Sequence, residues 1–181
     1  VVCEDGMVLF ARFLPVDYVN SIYHIHLRQL WETGMRGIVT DLDNTLVEWN
    51  APNAPAKLVA WLEHARELGY KVCILSNNHG PRVAAFAAPL GLPAIDSARK
   101  PRSFAYGQAL AQTGTEARQT LMIGDQLFTD IWGGNRVGMH TVLVRPIPGR
   151  EHRATRLIRR VERLVLGSRV PEAAGEYFTG G

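Results

Sequence analysis

Apolar and polar positions change period along the chain, and the changes mark its elements. Ile38 and Val39 are β-branched and lead into Asp41 and Asp43, which reads as a buried strand opening into a loop. Leu58, Trp61, Leu62, Ala65 and Leu68 then recur at helical spacing, with Pro55 before them and Gly69 as the stop. Tyr70 to Leu75 is the next continuous apolar run, followed by a small-residue helix from Pro81 to Leu90 and a short strand from Ala94 to Ala98. Ser103 is placed to cap a helix that runs through Gln112. Thr120 to Ile123 gives a fourth strand, Ile131 to Arg136 a short helical turn, and Thr141 to Val144 a fifth strand. Strand and helix alternate with short links, the pattern of an α/β fold. It predicts a doubly wound, Rossmann-like, five-stranded and mostly parallel sheet with helices on both faces.

The ends of the chain carry different patterns. Val16 to Tyr23 and His26 to Glu32 read as two short helical pieces closed by Gly34, so residues 1–34 are expected to form an N-terminal helical extension. The α/β domain is expected over 35–146. Over 147–181 the pattern predicts a basic amphipathic C-terminal helix and tail. Between Glu151 and Leu166, Ala154, Leu157, Ile158, Val161, Leu164 and Val165 form an apolar stripe, and Arg153, Arg156, Arg160 and Arg163 a basic one. His24 and His26 have strand-like ligand spacing, but no third ligand stands nearby.

Every polar cluster in the central region follows a strand. Open parallel sheets bind ligands beyond the carboxyl ends of their strands, so Asp41, Asp43, Ser76, Lys100, Asp125 and Asp130 are expected in one pocket. Taken alone, Asp41-Leu-Asp43 is a pattern that solvated turns also produce. Three carboxylates at one pocket repel each other, which calls for a hard cation with oxygen ligands, and Mg²⁺ suits them best. Such a pocket meets the needs of phosphoryl transfer: a nucleophile, charge neutralisation and a proton for the leaving group.

Asp41-Leu-Asp43-Asn44-Thr45, Ser76, Lys100 and Gly124-Asp125 with Asp130 resemble the four motifs of the haloacid dehalogenase (HAD) superfamily of phosphatases. The resemblance spans roughly residues 37–145. It implies a Mg²⁺-dependent phosphomonoester hydrolase in which Asp41 is the nucleophile that forms an aspartyl phosphate and Asp43 the general acid and base. The metal would be held by Asp41, the main-chain carbonyl of Asp43, and Asp125. Ser76 and the amide of Asn77 would bind the phosphoryl oxygens, and Lys100 would neutralise nucleophile and phosphate. Arg99 and Arg102 flank Lys100, and Pro101 favours the lysine. Asp130 would orient a metal-bound water or the lysine, or simply cap a helix; Asn44 and Thr45 support the first motif. A receiver-type signalling domain gathers similar groups, but its acidic pair and phosphorylated aspartate come in a different strand order.

The gaps from Thr45 to Ser76 and from Ser76 to Lys100 leave no room for an inserted cap domain. An uncapped pocket favours a bulky phosphomonoester that acts as its own lid. Leu14-Pro15, Tyr18-Val19 and Ser21-Ile22-Tyr23 resemble the uncapped branch related to phosphatidylglycerophosphate phosphatases, which makes that lipid the first substrate to try. The alternatives are a soluble sugar or nucleotide phosphate, or a phosphate-recognising module that engages RNA or a protein partner.

Charge sharpens the choice. The sequence pI is about 9.1, yet eight arginines against two glutamates lie between Arg145 and Arg169, so the positive charge is a C-terminal feature. Arg153, Arg156, Arg160 and Arg163 would suit peripheral contact with an anionic membrane, whereas that stripe lacks the aromatic platform that single-stranded nucleic acid favours. Cys3 and Cys73 are far apart, and Cys73 sits in an apolar strand, which predicts a reduced, packed thiol and a cytoplasmic location, peripheral on the inner face of the membrane. No apolar run approaches the length of a membrane span.

Overall fold

A computed structural model describes residues 12–148 together with Glu162, Leu166, Tyr177 and Phe178. Its centre is a parallel sheet whose strands are β1 (Asp17–Val19), β2 (Gly37–Thr40), β3 (Lys71–Leu75), β4 (Ala94–Ile95), β5 (Thr120–Gly124) and β6 (His140–Val144). They lie in the order β1-β6-β5-β2-β3-β4, and each neighbouring pair is parallel. After β1, which takes one edge, the chain crosses to β2 near the middle of the sheet, winds one way through β3 and β4, and returns to build β5 and β6 between β2 and β1. The order reverses beside β2, where a doubly wound sheet opens its crevice.

Helices α1 (Leu27–Glu32), α2 (Ala56–Glu67), α3 (Gly80–Ala87), α4 (Ser103–Thr113) and α5 (Trp132–Val137) cover the sheet. Strand side chains alternate between two cores. Ile38, Ile74, Leu121 and Ile123 face Leu58, Trp61 and Leu62 of α2 and Val83 and Phe86 of α3. Val39, Cys73, Leu75 and Met122 face Ala105, Tyr106 and Ala109 of α4. Strand β2 is buried at all four positions, so it reads as a continuous apolar run rather than an alternating one. Gly69 has φ of +101°, and a Cβ there would lie 2.6 Å from the Trp31 ring; the glycine lets α1 pack against the end of α2.

The sheet has six strands, one more than the sequence pattern predicts. The extra strand replaces part of the helical piece expected over Val16–Tyr23: Asp17, Tyr18 and Val19 pair with Val142, Leu143 and Val144, and a short 3-10 turn follows at Ile22–His24. Three residues are too few for a period to show, and the open edge of β6 supplies the hydrogen-bond partners that decide the outcome. Ser103 also differs from expectation. It is the first residue of α4 and makes no capping bond; Arg102 occupies the cap position.

No helix among the described residues is long and apolar enough to cross a membrane. Most of the expected C-terminal helix, including Arg153, Arg156, Arg160 and Arg163, lies outside the described residues. Tyr177 and Phe178 both donate main-chain N–H groups to the Tyr23 carbonyl, and the Phe178 ring stacks between Tyr23 and His64.

Candidate active site

Each polar segment at the carboxyl ends of the strands begins where a buried strand stops. Strand β2 ends at Thr40, and the Asp41 amide still donates to the Ile123 carbonyl of β5, so Asp41 is held in strand-like register above the core. The chain then turns sharply. Asn44 has φ of +65°, its amide donates to the Val47 carbonyl, and its own carbonyl accepts from Ile147. That turn brings Thr45 back so that its Oγ1 donates to Asp125 Oδ1 at 3.1 Å, tying the end of β2 to the end of β5.

Four side chains form a buried floor. Lys100 Nζ donates to Asp41 Oδ1 at 2.6 Å and to Asp130 Oδ1 at 2.7 Å. The other oxygen of Asp130 accepts from the Gln126 amide at 3.1 Å, so both oxygens of Asp130 are engaged within the protein. Asp41, Asp125 and Asp130 place carboxylate oxygens within 4.8 Å of one another. Gly124 makes the approach possible, because a Cβ there would lie 2.4 Å from atoms of Asp130. Lys100 itself is presented by a loop in which Ser97 and Arg99 have positive φ, and its amide donates to Asn77 Oδ1 at 2.7 Å.

The electrostatics follow from that crowding. Burial first, with Asp130 and Asp125 beside it, pushes the Asp41 carboxyl up to about 8 against the pull of Lys100. Burial works against the charge of Lys100, but Asp130 and Asp41 outweigh it and hold the ammonium protonated well above its usual range. One ammonium among three carboxylates leaves repulsion on the order of 3 kcal/mol for each remaining charged pair at an effective dielectric near 20. An all-oxygen, acidic and buried donor set of this kind fits a hard divalent cation. With Asp130 occupied by Lys100 and Gln126, Asp41 and Asp125 are the carboxylates best placed to hold one.

Asp43 belongs to a different environment, the rim. Its Oδ1 accepts from the Asn50 amide at 3.0 Å and pairs with Arg82 Nη2 at 3.1 Å; its Oδ2 accepts from Asn78 Nδ2 at 3.0 Å. Ser76 is buried, and its Oγ accepts from the Asn78 amide at 3.1 Å. Asp41, Asp43, Asn44, Ser76, Asn77 and Arg82 all line one open cleft of about 810 Å³, which Trp49 and His79 extend outward. Asp41, Asp43, Ser76, Asn77, Lys100, Asp125 and Asp130, all named from the sequence, thus meet at one end of the sheet, with Asn44 and Thr45 bracing it.

Several contributors carry little or no signal in the sequence. Arg82 and Asn78 fix Asp43, yet nothing in their spacing from Asp41 or Ser76 marks them, since the contacts cross 39 and 35 residues. The Gln126 amide on Asp130 is a main-chain contact, invisible to any reading of side chains. Asn78 could have been suspected as the second asparagine of the cluster that ends β3.

Comparison with known proteins agrees with this geometry. A family model described as HAD-hydrolase-like matches residues 97–159. A protein named probable phosphatase YqeG, from Bacillus subtilis, is 47% identical over 156 residues, which is 86% of this chain and 91% of that protein. The chloroplastic phosphatidylglycerophosphate phosphatase 1 of Chlamydomonas reinhardtii is 34% identical over 74% of this chain, and the match spans about half (53%) of that longer protein. Among solved structures, a hypothetical protein from Xanthomonas campestris superposes with a TM-score of 0.52 at 17% identity. That match covers 70% of this chain and 71% of the other, a likeness of fold.

Proposed function

Because the chain belongs to the haloacid dehalogenase superfamily of phosphatases, we propose that it hydrolyses a phosphomonoester through an aspartyl phosphate on Asp41, with Mg²⁺ as cofactor and phosphatidylglycerophosphate as substrate. The observation that carries the reading is the Lys100 ammonium bridging Asp41 and Asp130 on the floor of an open cleft. A nucleophilic carboxylate must be ionised and aimed: Lys100 fixes the direction of Asp41 and favours its charged form against the burial that raises its pKa, and a bound cation would complete the ionisation.

The chain's own groups divide the work. With Oδ1 of Asp41 held by Lys100, Oδ2 is the oxygen that attacks phosphorus. Ser76 Oγ and the Asn77 amide receive the phosphoryl oxygens at the cleft wall, while Asp130 keeps Lys100 in place from the far side. Asp43 waits on the rim, held by Asn50, Asn78 and Arg82, where the leaving group departs. It donates a proton to that oxygen and then takes one from the water that opens the acyl phosphate. A divalent cation bound by Asp41, the Asp43 carbonyl and Asp125 supplies charge neutralisation for the phosphoryl group.

The lipid substrate rests on two supports. The Chlamydomonas relative is named for that lipid. The cleft is also open, with no inserted domain between Thr45 and Lys100 to close it, so a large substrate must itself exclude water. Contact with an anionic bilayer through Arg153, Arg156, Arg160 and Arg163, on the cytoplasmic face, belongs to the same proposal.

Phosphate release with Mg²⁺ tests it, comparing wild type with Asp41→Asn on an aryl phosphate and on phosphatidylglycerophosphate in anionic vesicles. Vesicle turnover far above aryl turnover, abolished by the substitution, is the expected result. Turnover of the aryl ester and of soluble sugar or nucleotide phosphates, but not of the lipid, would keep the phosphatase and remove the lipid. Salt-dependent RNA binding with no turnover at all would favour a phosphate-recognising module instead.

A further inference from the structure

Glu162 reaches the loop behind the floor of the site. Leu127 opens the wide helical turn Leu127–Ile131 that carries Asp130, and its main-chain N–H donates to Glu162 Oε1 at 2.7 Å across 35 residues of sequence. Glu162 is helical and only 5% exposed. Leu166, also helical, packs on the small cluster of Leu127, Ile131 and Leu143. Glu162 and Asp125 also line one cavity of about 400 Å³, together with Tyr18 and Arg145.

A buried carboxylate is a poor space-filler. An apolar side chain would fill the position beside Leu166 at no cost in desolvation, so a glutamate here is explained by what it accepts. The start of a helical turn exposes amides with no acceptor of their own. Two successive amides of this turn are each taken by a carboxylate: Gln126 by Asp130 from within the loop, Leu127 by Glu162 from the C-terminal segment. Together they fix the two successive peptide groups on either side of Gln126, directly after Asp125. The direction of Asp125 and the grip of Asp130 on Lys100 depend on those groups staying put.

We propose that Glu162 is a positioning residue of the phosphatase site: by holding the Leu127 amide it fixes the Asp125–Asp130 loop that carries the cation ligand. The inference rests on the reading of Asp125 as a cation ligand. It assigns a site role to a segment that the sequence pattern offers as a membrane or docking helix.

The test compares full-length wild type with Glu162→Ala, Glu162→Gln and Glu162→Asp. Mn²⁺ affinity is read by calorimetry, and Leu127 amide protection by hydrogen exchange. Glu162→Ala is expected to weaken Mn²⁺ binding by about 10- to 100-fold, the range for groups that orient metal ligands, and to expose the Leu127 amide. Glu162→Gln keeps an acceptor oxygen and recovers most of both. Glu162→Asp keeps the charge but falls short by a methylene, and carries the test if the alanine variant does not fold. Phe178→Ala serves as the structural control, because its ring stacks on Tyr23 and His64 and packs on a different apolar cluster from that of Leu127 and Ile131. It should lower the melting temperature and leave Mn²⁺ affinity unchanged. Wild-type affinity and amide protection in Glu162→Ala, or a glutamine variant as weak as alanine, would overturn the proposal. If wild type bound no Mn²⁺, the cation reading beneath it would fall, and Leu127 exchange alone would decide whether Glu162 holds the loop.

Discussion

Asp41 and Asp43 stand two residues apart and share a side-chain type, yet they occupy opposite regimes. Asp41 lies on the floor of the cleft, its side chain 8% exposed, where one ammonium is divided between two carboxylates. Asp43 lies on a rim, its carboxylate 12% exposed and met by an amide, an asparagine and a guanidinium that is itself 17% exposed. Burial raises the Asp41 pKa and makes its charge expensive to hold, while the partners of Asp43 satisfy it individually. Two carboxylates acquire two roles from environment alone, the floor suited to a fixed nucleophile and the rim to a group that must exchange protons with water.

The comparison can be broken at the floor with the largest effects. Asp41→Asn removes the nucleophile and is expected to cost at least about 10⁴-fold in kcat, as loss of a reacting group does elsewhere. A residual rate within 10-fold of wild type on any phosphomonoester would transfer the nucleophile to another residue. Lys100→Met should lower kcat by about 10² to 10³, the usual effect of deleting a donor aimed at developing charge. It should also destabilise the fold by about 3 to 5 kcal/mol, because Asp41 and Asp130 lose the cation buried between them. Denaturant unfolding beside single-turnover kinetics separates those two losses.

At the rim the effects should be smaller and selective. Arg82→Ala is expected to slow hydrolysis of alkyl phosphates by about 10-fold while leaving an activated aryl phosphate almost unchanged, because only the poor leaving group needs a well-placed acid. Equal losses on both would mean that Arg82 serves the floor as well. The mildest check concerns dryness. Burial pushes the Cys73 thiol up to about 12, and the side chain packs beneath α4 with Val39, Leu75 and Met122. At pH 8 iodoacetamide should label Cys73 only after unfolding, and rapid labelling of Cys73 in the native protein, read by peptide mapping apart from Cys3, would show that water reaches the layer under the floor.

Much of this was legible in the sequence for a physical reason. Strands β2, β3 and β5 are buried on both faces, so they appear as short apolar runs, and Asp41, Ser76 and Asp125 each follow such a run directly. What stayed hidden was set by tertiary contacts. Strand β1 forms because β6 offers an edge, not because Asp17, Tyr18 and Val19 demand it. Arg82 and Glu162 act on residues 39 and 35 positions away, a distance at which local pattern says nothing. The arginines from Arg153 to Arg163 are plain in the sequence and lie outside the described residues, whereas Glu162, between two of them, is a buried acceptor.

The all-parallel order β1-β6-β5-β2-β3-β4 has a further consequence, for the time at which the protein becomes active during folding. No two neighbouring strands are joined by a hairpin, so every pairing waits for a crossover, and β2 must find β5 some 80 residues later before Thr45 can reach Asp125. Pairing over such separations is slow and leaves edges exposed meanwhile. On a ribosome, β2, β3 and β4 can assemble long before β5 emerges, and that half-sheet holds Asp41 and Lys100 without the carboxylates of Asp125 and Asp130. Catalytic competence should therefore arrive as one of the last events of folding, and regain of activity after dilution from denaturant should lag behind regain of helix signal.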